Sequence, residues 1–311
     1  MKSYDELEAD HFSFQKQKDN FVKDGFASFQ GFFDADNARA LLQKIMLSRR
    51  LDTIFLSERE FEEKKEFLGT NPRPGRNLAE KLDTEFIFGS PQFARLMQQV
   101  VGKRFRVYDY KFVCGIPSSA LPDWVRKRIS DQLVNNLGPY VKPQYRDMTY
   151  FHGIDFHQDI IDYPDRDGDF ITGYVYLDTV RPSQAPLHVL PKSHSLGCTI
   201  FPHKLEKTQK QFRYEDDFGN QALCDCEILT GNAGDLFIWH SATLHGTQPQ
   251  SEDESRVSLR ILVERNQGIA EGSWLDTCNS QISGRLRLSE TRRDLLKDGS
   301  AKLQGNTINQ Y

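Results

Sequence analysis

Long apolar runs are missing from this sequence. No stretch approaches the roughly 18 consecutive apolar residues that a membrane-spanning helix needs. The first thirty residues are polar and charged, without the apolar segment of a signal peptide. Membrane insertion and secretion lose support, and a cytoplasmic protein is expected. Cysteine is scarce and badly spaced for cross-linking. Cys114, Cys198, Cys224, Cys226 and Cys278 make an odd number at irregular intervals, which suits a reducing compartment better than a disulfide framework. Cys224 and Cys226 would share one face of a strand, but no second pair completes a zinc site, and they read as structural. An excess of either charge is also lacking: 40 basic against 44 acidic residues leave a net charge of -4, without the basic footprint of a nucleic-acid binder. The local concentration of Arg285, Arg287, Arg292, Arg293 and Lys297 is interleaved with Asp294 and Asp298 and accompanied by Leu288, Leu295 and Leu296. It reads as the solvated face of a helix. Neither nucleic acid, nor membrane, nor an obligate protein partner is expected.

What the sequence does hold is material for a core. Hydrophobic residues make up 38% and phenylalanines number 22, enough apolar surface to offset chain entropy and exclude global disorder. At 311 residues the chain is near the size at which a single core stops growing, and we read residues 1–311 as one domain. Residues 1–105 form a helical N-terminal elaboration: helix, short strand, then a second helix that Asp34 or Asp36 can cap, with Ala38, Leu41, Leu42 and Ile45 at helical spacing. SEREFEEKKEF and PQFARLMQQVVG read as further helices, separated by the Pro- and Gly-rich loop GTNPRPGRN. KRFRVYDYKFVCGIP reads as a strand ended by Pro117. Residues 118–146 then insert an amphipathic helix lined by Trp124, Val125, Ile129 and Leu133, a candidate lid.

Between 147 and 265 the texture changes. MTYFHGIDFH, FITGYVYLDTV, PLHVLP, CEILT, GDLFIWHS and RVSLRILVER are short strand-like runs punctuated by Gly, Pro, Asn and Asp. The expected fold is mainly β with flanking helices, a jelly-roll or cupin-like barrel spanning 106–265, with residues 266–311 as a C-terminal extension. The acidic run DYPDRDGD (162–169) lacks the ligand pattern of a calcium loop and reads as a solvated hairpin link.

Seven of the eight histidines fall in the β-rich half. Within FHQD, His157 and Asp159 are separated by one residue and would project from the same face of a strand. Far downstream, His245 follows a strand-like run and Arg256 begins the next. Two histidines and a carboxylate would leave three positions open on Fe(II), enough for a bidentate keto acid and dioxygen. The keto acid's far carboxylate then needs a planar cation. Arg256 suits that role, and Ser258, two residues on, shares its face and can donate a further hydrogen bond.

These residues resemble the phytanoyl-CoA dioxygenase family of iron and 2-oxoglutarate oxygenases. The order is His157-x-Asp159, then YVYLDTVRPSQAPLHVLPKSHSLG, then GNAGDLFIWHSATLHG, then Arg256. The likeness covers roughly residues 147–265. It implies a double-stranded β-helix with Fe(II) held by His157, Asp159 and His245. It also implies 2-oxoglutarate contacted by Arg256, Thr247 and Tyr174, with Lys111 as a further contact, and O2 consumed with release of succinate and CO2. Thr247 stands where the family often has serine, Tyr174 where tryptophan is usual, and Gln184-Ala185-Pro186 and Lys192 replace the family's turn residues. The resemblance implies a small-molecule substrate, and retention of Asp159 favours hydroxylation of its C–H bond over halogenation. His240 competes with His245 for the distal ligand, but His245 precedes Gly246 and has the family-like spacing to Arg256, and that spacing also favours Arg256 over Arg260. His152 and His188 are candidates to face the cavity, while His194 reads as a turn residue. The alternatives from other classes are a cupin-like metal-binding isomerase and a non-catalytic small-molecule-binding protein, neither of which requires Arg256 to hold a keto acid.

Overall fold

Helix α1 (Tyr4–Asp24) ends at Gly25, whose φ of +82° takes the chain directly into strand β1 (Phe26–Phe29). Helix α2 (Ala35–Leu47) begins where the Asp34 carboxylate accepts the Asn37 amide at 2.8 Å, and it buries Ala38, Leu41 and Ile45. Three more helices follow, α3 (Glu58–Glu63), α4 (Glu85–Phe88) and α5 (Pro91–Val100), the last with Ser90 as its cap and proline at its first turn. This computed structural model describes residues 4–63, 71–130, 132–248, 254–266 and 272–294.

Strand β2 (Phe105–Gly115) opens the β-rich part, followed by helix α6 (Asp123–Ile129) and strands β3 (Val134–Asn136), β4 (Thr149–His157), β5 (Phe170–Tyr176) and β6 (Leu187–Val189). A separate three-stranded meander, β7 (Lys204–Lys207), β8 (Phe212–Glu215) and β9 (Gln221–Cys224), was not anticipated; its alternation is too short and polar to stand out. Strands β10 (Glu227–Leu229), β11 (Leu236–His240), β12 (His245–Thr247) and β13 (Arg256–Arg265) lead to helix α7 (Trp274–Asn279).

The main sheet runs β1-β11-β5-β13-β2-β4-β12-β6-β10, with β3 paired to β4. Its one parallel contact, β2 with β4, is the seam between two antiparallel halves that curl into the double-stranded β-helix. Alternation along the strands sorts side chains between two spaces. On β13, Val257, Leu259, Ile261 and Val263 face the helices and join Leu41, Ile45, Leu96 and Val100 in the largest core cluster. Each fully buried Leu, Ile or Val contributes roughly 1.5–3 kcal/mol. The opposite parity of the same strand sends Arg256, Ser258 and Arg260 inward. Strands β5 and β11 do likewise, with Ile171, Val175, Leu236 and Ile238 outward and Thr172, Tyr174, Phe237 and Trp239 inward.

Two expectations are corrected. Residues 283–294 form no helix: they run extended, bridging in parallel from Arg285 to Gly197 and from Arg292 to Phe201, and Leu288 packs on the Phe170 cluster. Regular contact with the barrel outweighs a modest helical pattern there; Leu295, Leu296 and Lys297 lie outside the described residues. The acidic run at 162–169 is not a hairpin link, because β4 and β5 belong to different halves of the barrel and do not pair. Its carboxylates instead meet that C-terminal segment, Asp165 and Asp167 facing Arg287 and Asp162 facing Arg292.

Candidate active site

Strand β4 ends at His157, but Gln158 keeps an extended backbone (φ -103°, ψ 138°), so Asp159 projects to the same side as His157. Gln158 points the other way and is locked. Its amide nitrogen donates to the Gly197 and Ala242 carbonyls, both at 2.8 Å, and its oxygen accepts from the Thr199 amide at 3.0 Å. His245 arrives from β12, directly opposite His157 in the β4–β12 register. Gly246 permits that approach: a Cβ there would lie 2.8 Å from the Ile154 carbonyl oxygen.

One ligand atom from each of His157, Asp159 and His245 lies within 4.8 Å of the others, a group that could hold a metal ion. The two imidazole centroids are 4.3 Å apart. His157 Nδ1 meets the Asp155 carbonyl at 2.9 Å and His245 Nδ1 the Thr243 carbonyl at 3.0 Å. A carbonyl can only accept, so both Nδ1 atoms carry the proton and both Nε2 lone pairs are free to ligate. The Asp159 carboxylate takes Thr172 Oγ1 at 2.6 Å and Trp239 Nε1 at 2.9 Å on Oδ2, and Arg260 Nη2 at 2.7 Å on Oδ1. Burial alone would push this carboxyl up, but the charges of Arg260, His245 and His157 and the Thr172 hydroxyl outweigh it and hold the group well below the ordinary carboxylate range. Burial lowers His245 to about 4 against the opposing pull of Asp159, which keeps it neutral at physiological pH and competent as a ligand.

The triad lines a cavity of about 410 Å³. Arg256, only 3% exposed, also lines it, its guanidinium carbon 5.4 Å from the Phe151 ring and 5.9 Å from that of Tyr174. None of its three side-chain nitrogens meets a carboxylate among the described residues, and the polar group beside them is the Tyr176 hydroxyl. The nearby Tyr176 hydroxyl donates its own proton to the Leu229 carbonyl at 2.6 Å. Leaving a buried guanidinium unpaired costs several kcal/mol, so this end of the cavity is built for an anion.

The remaining candidates divide. Thr247 and Tyr174 line the cavity, although the Thr247 hydroxyl donates to the Ala185 carbonyl at 2.8 Å. Lys111 lines it too, with its ammonium against the Asn71 side-chain oxygen. Ser258 lies between Arg256 and Arg260 on the inward face, fully buried with no partner for its hydroxyl among the described residues, but it is not in the cavity wall. His152 and His188, offered as cavity residues, are absent from that wall; His152 Nδ1 is taken by the Ile116 carbonyl at 2.8 Å. His240 is a structural residue: its Nδ1 accepts the Ala242 amide at 3.0 Å and its Nε2 meets Asn279 Oδ1 at 2.8 Å, leaving no lone pair for a metal. Sequence reasoning missed Trp239, Thr172 and Gln158, which orient the triad. It also missed Arg292, which reaches the cavity from the C-terminal segment. The signal for Thr172 and Trp239 was available in their inward parity on β5 and β11.

The barrel, its inward two-histidine, one-carboxylate face and the adjoining buried guanidinium define a non-haem metal enzyme with room for an anionic cosubstrate. The profile of the phytanoyl-CoA dioxygenase (PhyH) family matches residues 21–258, and the chain belongs to that family of iron- and 2-oxoglutarate-dependent enzymes. A probable alpha-ketoglutarate-dependent hypophosphite dioxygenase from Stutzerimonas stutzeri is 21% identical over 261 residues, 80% of this chain and 77% of its own. Among solved structures, the epimerase SnoN in complex with Fe3+, alpha ketoglutarate and nogalamycin RO superposes with a TM-score of 0.49 at 15% identity, covering 95% of this chain and 94% of that one. EvdO2 from Micromonospora carbonacea var. aurantiaca, complexed with 2-oxoglutarate, does so with 0.47 at 14% identity, covering 82% and 93%. Both groups fit the residues present: free Nε2 lone pairs beside an ionised carboxylate suit Fe(II), and the unpaired Arg256 guanidinium suits a dicarboxylate. Among the described residues, no helix is long and apolar enough to cross a membrane.

Proposed function

We propose that this chain is a dioxygenase that oxidises a C–H bond of a small molecule, by hydroxylation, using Fe(II), 2-oxoglutarate and O2. The observation that carries the reading is the buried guanidinium of Arg256, which no carboxylate among the described residues balances, in the same cavity as a triad whose tautomers are already set for metal binding. His157, Asp159 and His245 would hold the iron. Arg256 would pair with the far carboxylate of 2-oxoglutarate, with Phe151 and Tyr174 packing beside it and the Thr247 hydroxyl turning from the Ala185 carbonyl to donate to it. Bound together, iron and keto acid supply an oxidation by O2 that is paid for by decarboxylation to succinate and CO2. The protein's own part is to orient, neutralise and exclude water. Thr172, Trp239 and Arg260 fix the carboxylate, and Leu187, Val113 and Phe151 make the Arg256 end apolar, which strengthens the ion pair made there.

Asp159 supports hydroxylation over halogenation, since a carboxylate occupies the position a halide would need. Within residues 118–146, α6 is fixed by buried Val125 and Ile129, whereas Val134 and Asn136 of β3 border the cavity. We read this insertion as the wall that covers the substrate. The test is anaerobic addition of Fe(II) and 2-oxoglutarate, watching for the broad visible metal-to-ligand charge-transfer band. The band should form in the wild type, vanish in His245→Ala and require far more 2-oxoglutarate in Arg256→Ala. Iron-loaded wild-type protein without a band would instead favour a cupin-like metal protein.

A further inference from the structure

We propose that the end of the cavity remote from Arg256 receives an oxyanion group of the substrate, a carboxylate or phosphonate, through the ammonium of Lys111. This rests on the dioxygenase reading above and names the substrate class for that site. The register of β13 with β2 pairs Arg256 with Gly115 and Arg260 with Lys111. The two ends are therefore four residues apart along one strand pair, about 13 Å. Lys111 and Arg260 face each other directly, and like charges so placed destabilise a sheet.

Three of the four cationic side chains in the cavity wall have work assigned. Arg260 holds Asp159 at 2.7 Å and stands 3.8 Å from Asp109. Arg292 is bound by Asp294 at 2.7 Å and Asp162 at 2.9 Å. Arg256 faces the cosubstrate. Lys111 is different: it is only 7% exposed, its ammonium meets just the neutral amide oxygen of Asn71, and no carboxylate lies within ion-pair distance of it among the described residues. Burial, then the charge of Arg260, lowers it to about 8 against the opposing pull of the more distant Asp109, Asp162 and Asp159, so it is still mostly charged at pH 7 with no direct counter-ion. A methionine would fill the same space without that cost. With Arg260 already answered by Asp159 and Asp109, an arriving oxyanion would supply the direct counter-charge that Lys111 lacks, with Asn136, Thr149 and Tyr163 lining the same space. At about 410 Å³ for both ligands, the cavity is at the small end of the usual range and fits a compact acid.

The experiment uses full-length protein loaded anaerobically with Fe(II) and saturating 2-oxoglutarate, so that Arg256 is occupied. Butyrate, butylphosphonate and neutral butyramide are titrated while the charge-transfer band and melting temperature are followed. One or both acids should bind and the amide should not. Lys111→Met should weaken that binding about tenfold or more, Lys111→Arg should restore it in part, and the 2-oxoglutarate affinity should change less than about twofold. Three results would overturn the proposal: no acid binding to wild type that shows the band, unchanged binding in Lys111→Met, or a loss of 2-oxoglutarate affinity in Lys111→Met, which would assign the lysine to the cosubstrate. If the wild type shows no band, the dioxygenase reading fails separately. The anion site is then read from thermal shifts in an Arg256→Ala background, where acid stabilisation abolished by Lys111→Met upholds it and no stabilisation overturns it.

Discussion

Replacing Trp239 by phenylalanine tests whether the triad is oriented from behind. The indole is fully buried, its ring centroid 4.8 Å from His245 and 5.4 Å from Tyr174, and its Nε1–H donates to Asp159 Oδ2 at 2.9 Å. Phenylalanine retains most of the ring packing and deletes the donor. A hydrogen bond to a buried charge contributes about 1.5–3 kcal/mol, and loss of a group that orients a metal ligand typically costs about 10–100-fold in affinity, which is about 1.4–2.8 kcal/mol. The two ranges agree, so Trp239→Phe should bind Co(II) or Fe(II) about 10–100-fold more weakly in anaerobic calorimetry. Thr172→Val removes the other donor to the same oxygen, at 2.6 Å, with little change of shape. Because both serve one atom, the double variant should lose less than the two single losses combined, while Arg260 still grips Oδ1 at 2.7 Å. Wild-type metal affinity in Trp239→Phe, with only a lower melting temperature, would refute the reasoning and make the indole mere core.

Acid should unfold the protein early. Burial lowers His194 to about 4 and His240 to about 3, both below the ordinary value near 6.5. Their stability contribution is therefore complete above pH 6.5 and lost as pH falls toward those values, at about 1.4 kcal/mol per unit for each, or about 4 kcal/mol by pH 5. Urea midpoints at pH 7 and pH 5 measure it, and equal midpoints would contradict it. His240→Asn should leave metal affinity near wild type by calorimetry while His245→Ala abolishes it; the reverse would exchange the two assignments. Gly246→Ala forces a methyl to 2.8 Å from the Ile154 oxygen, and should cost about 1–3 kcal/mol and weaken metal binding through its neighbour His245. Unchanged melting and metal titration would show that β12 yields freely.

The barrel was legible because period-2 alternation is strong wherever one face of a strand meets helices and the other a cavity, as on β13 from Val257 to Val263. Asp34 marked a helix start through a side-chain cap that acts locally. The triad could be read from His157-x-Asp159 because the extended backbone survives one residue past the strand. What escaped depends on partners remote in sequence. Trp239 and Thr172 gain their meaning only from Asp159, 80 and 13 residues away. The path of residues 283–294 is set by bridges to Gly197 and Phe201, which local helical spacing cannot foresee. Arg260 was weighed as a rival to Arg256 for the keto acid, whereas its main tie is to the Asp159 carboxylate.

The two histidines of the triad share a detail with a wider bearing. Each ring is held by the carbonyl two residues before it, Asp155 for His157 and Thr243 for His245. Neither side chain sets the tautomer, yet both are buried and engaged, Asp155 accepting the Phe156 amide and Thr243 donating to the Gly25 carbonyl. With the wiring of this chain carried by its main chain, substitutions elsewhere in the cavity wall would reshape the space for a substrate while the two ring nitrogens keep their direction.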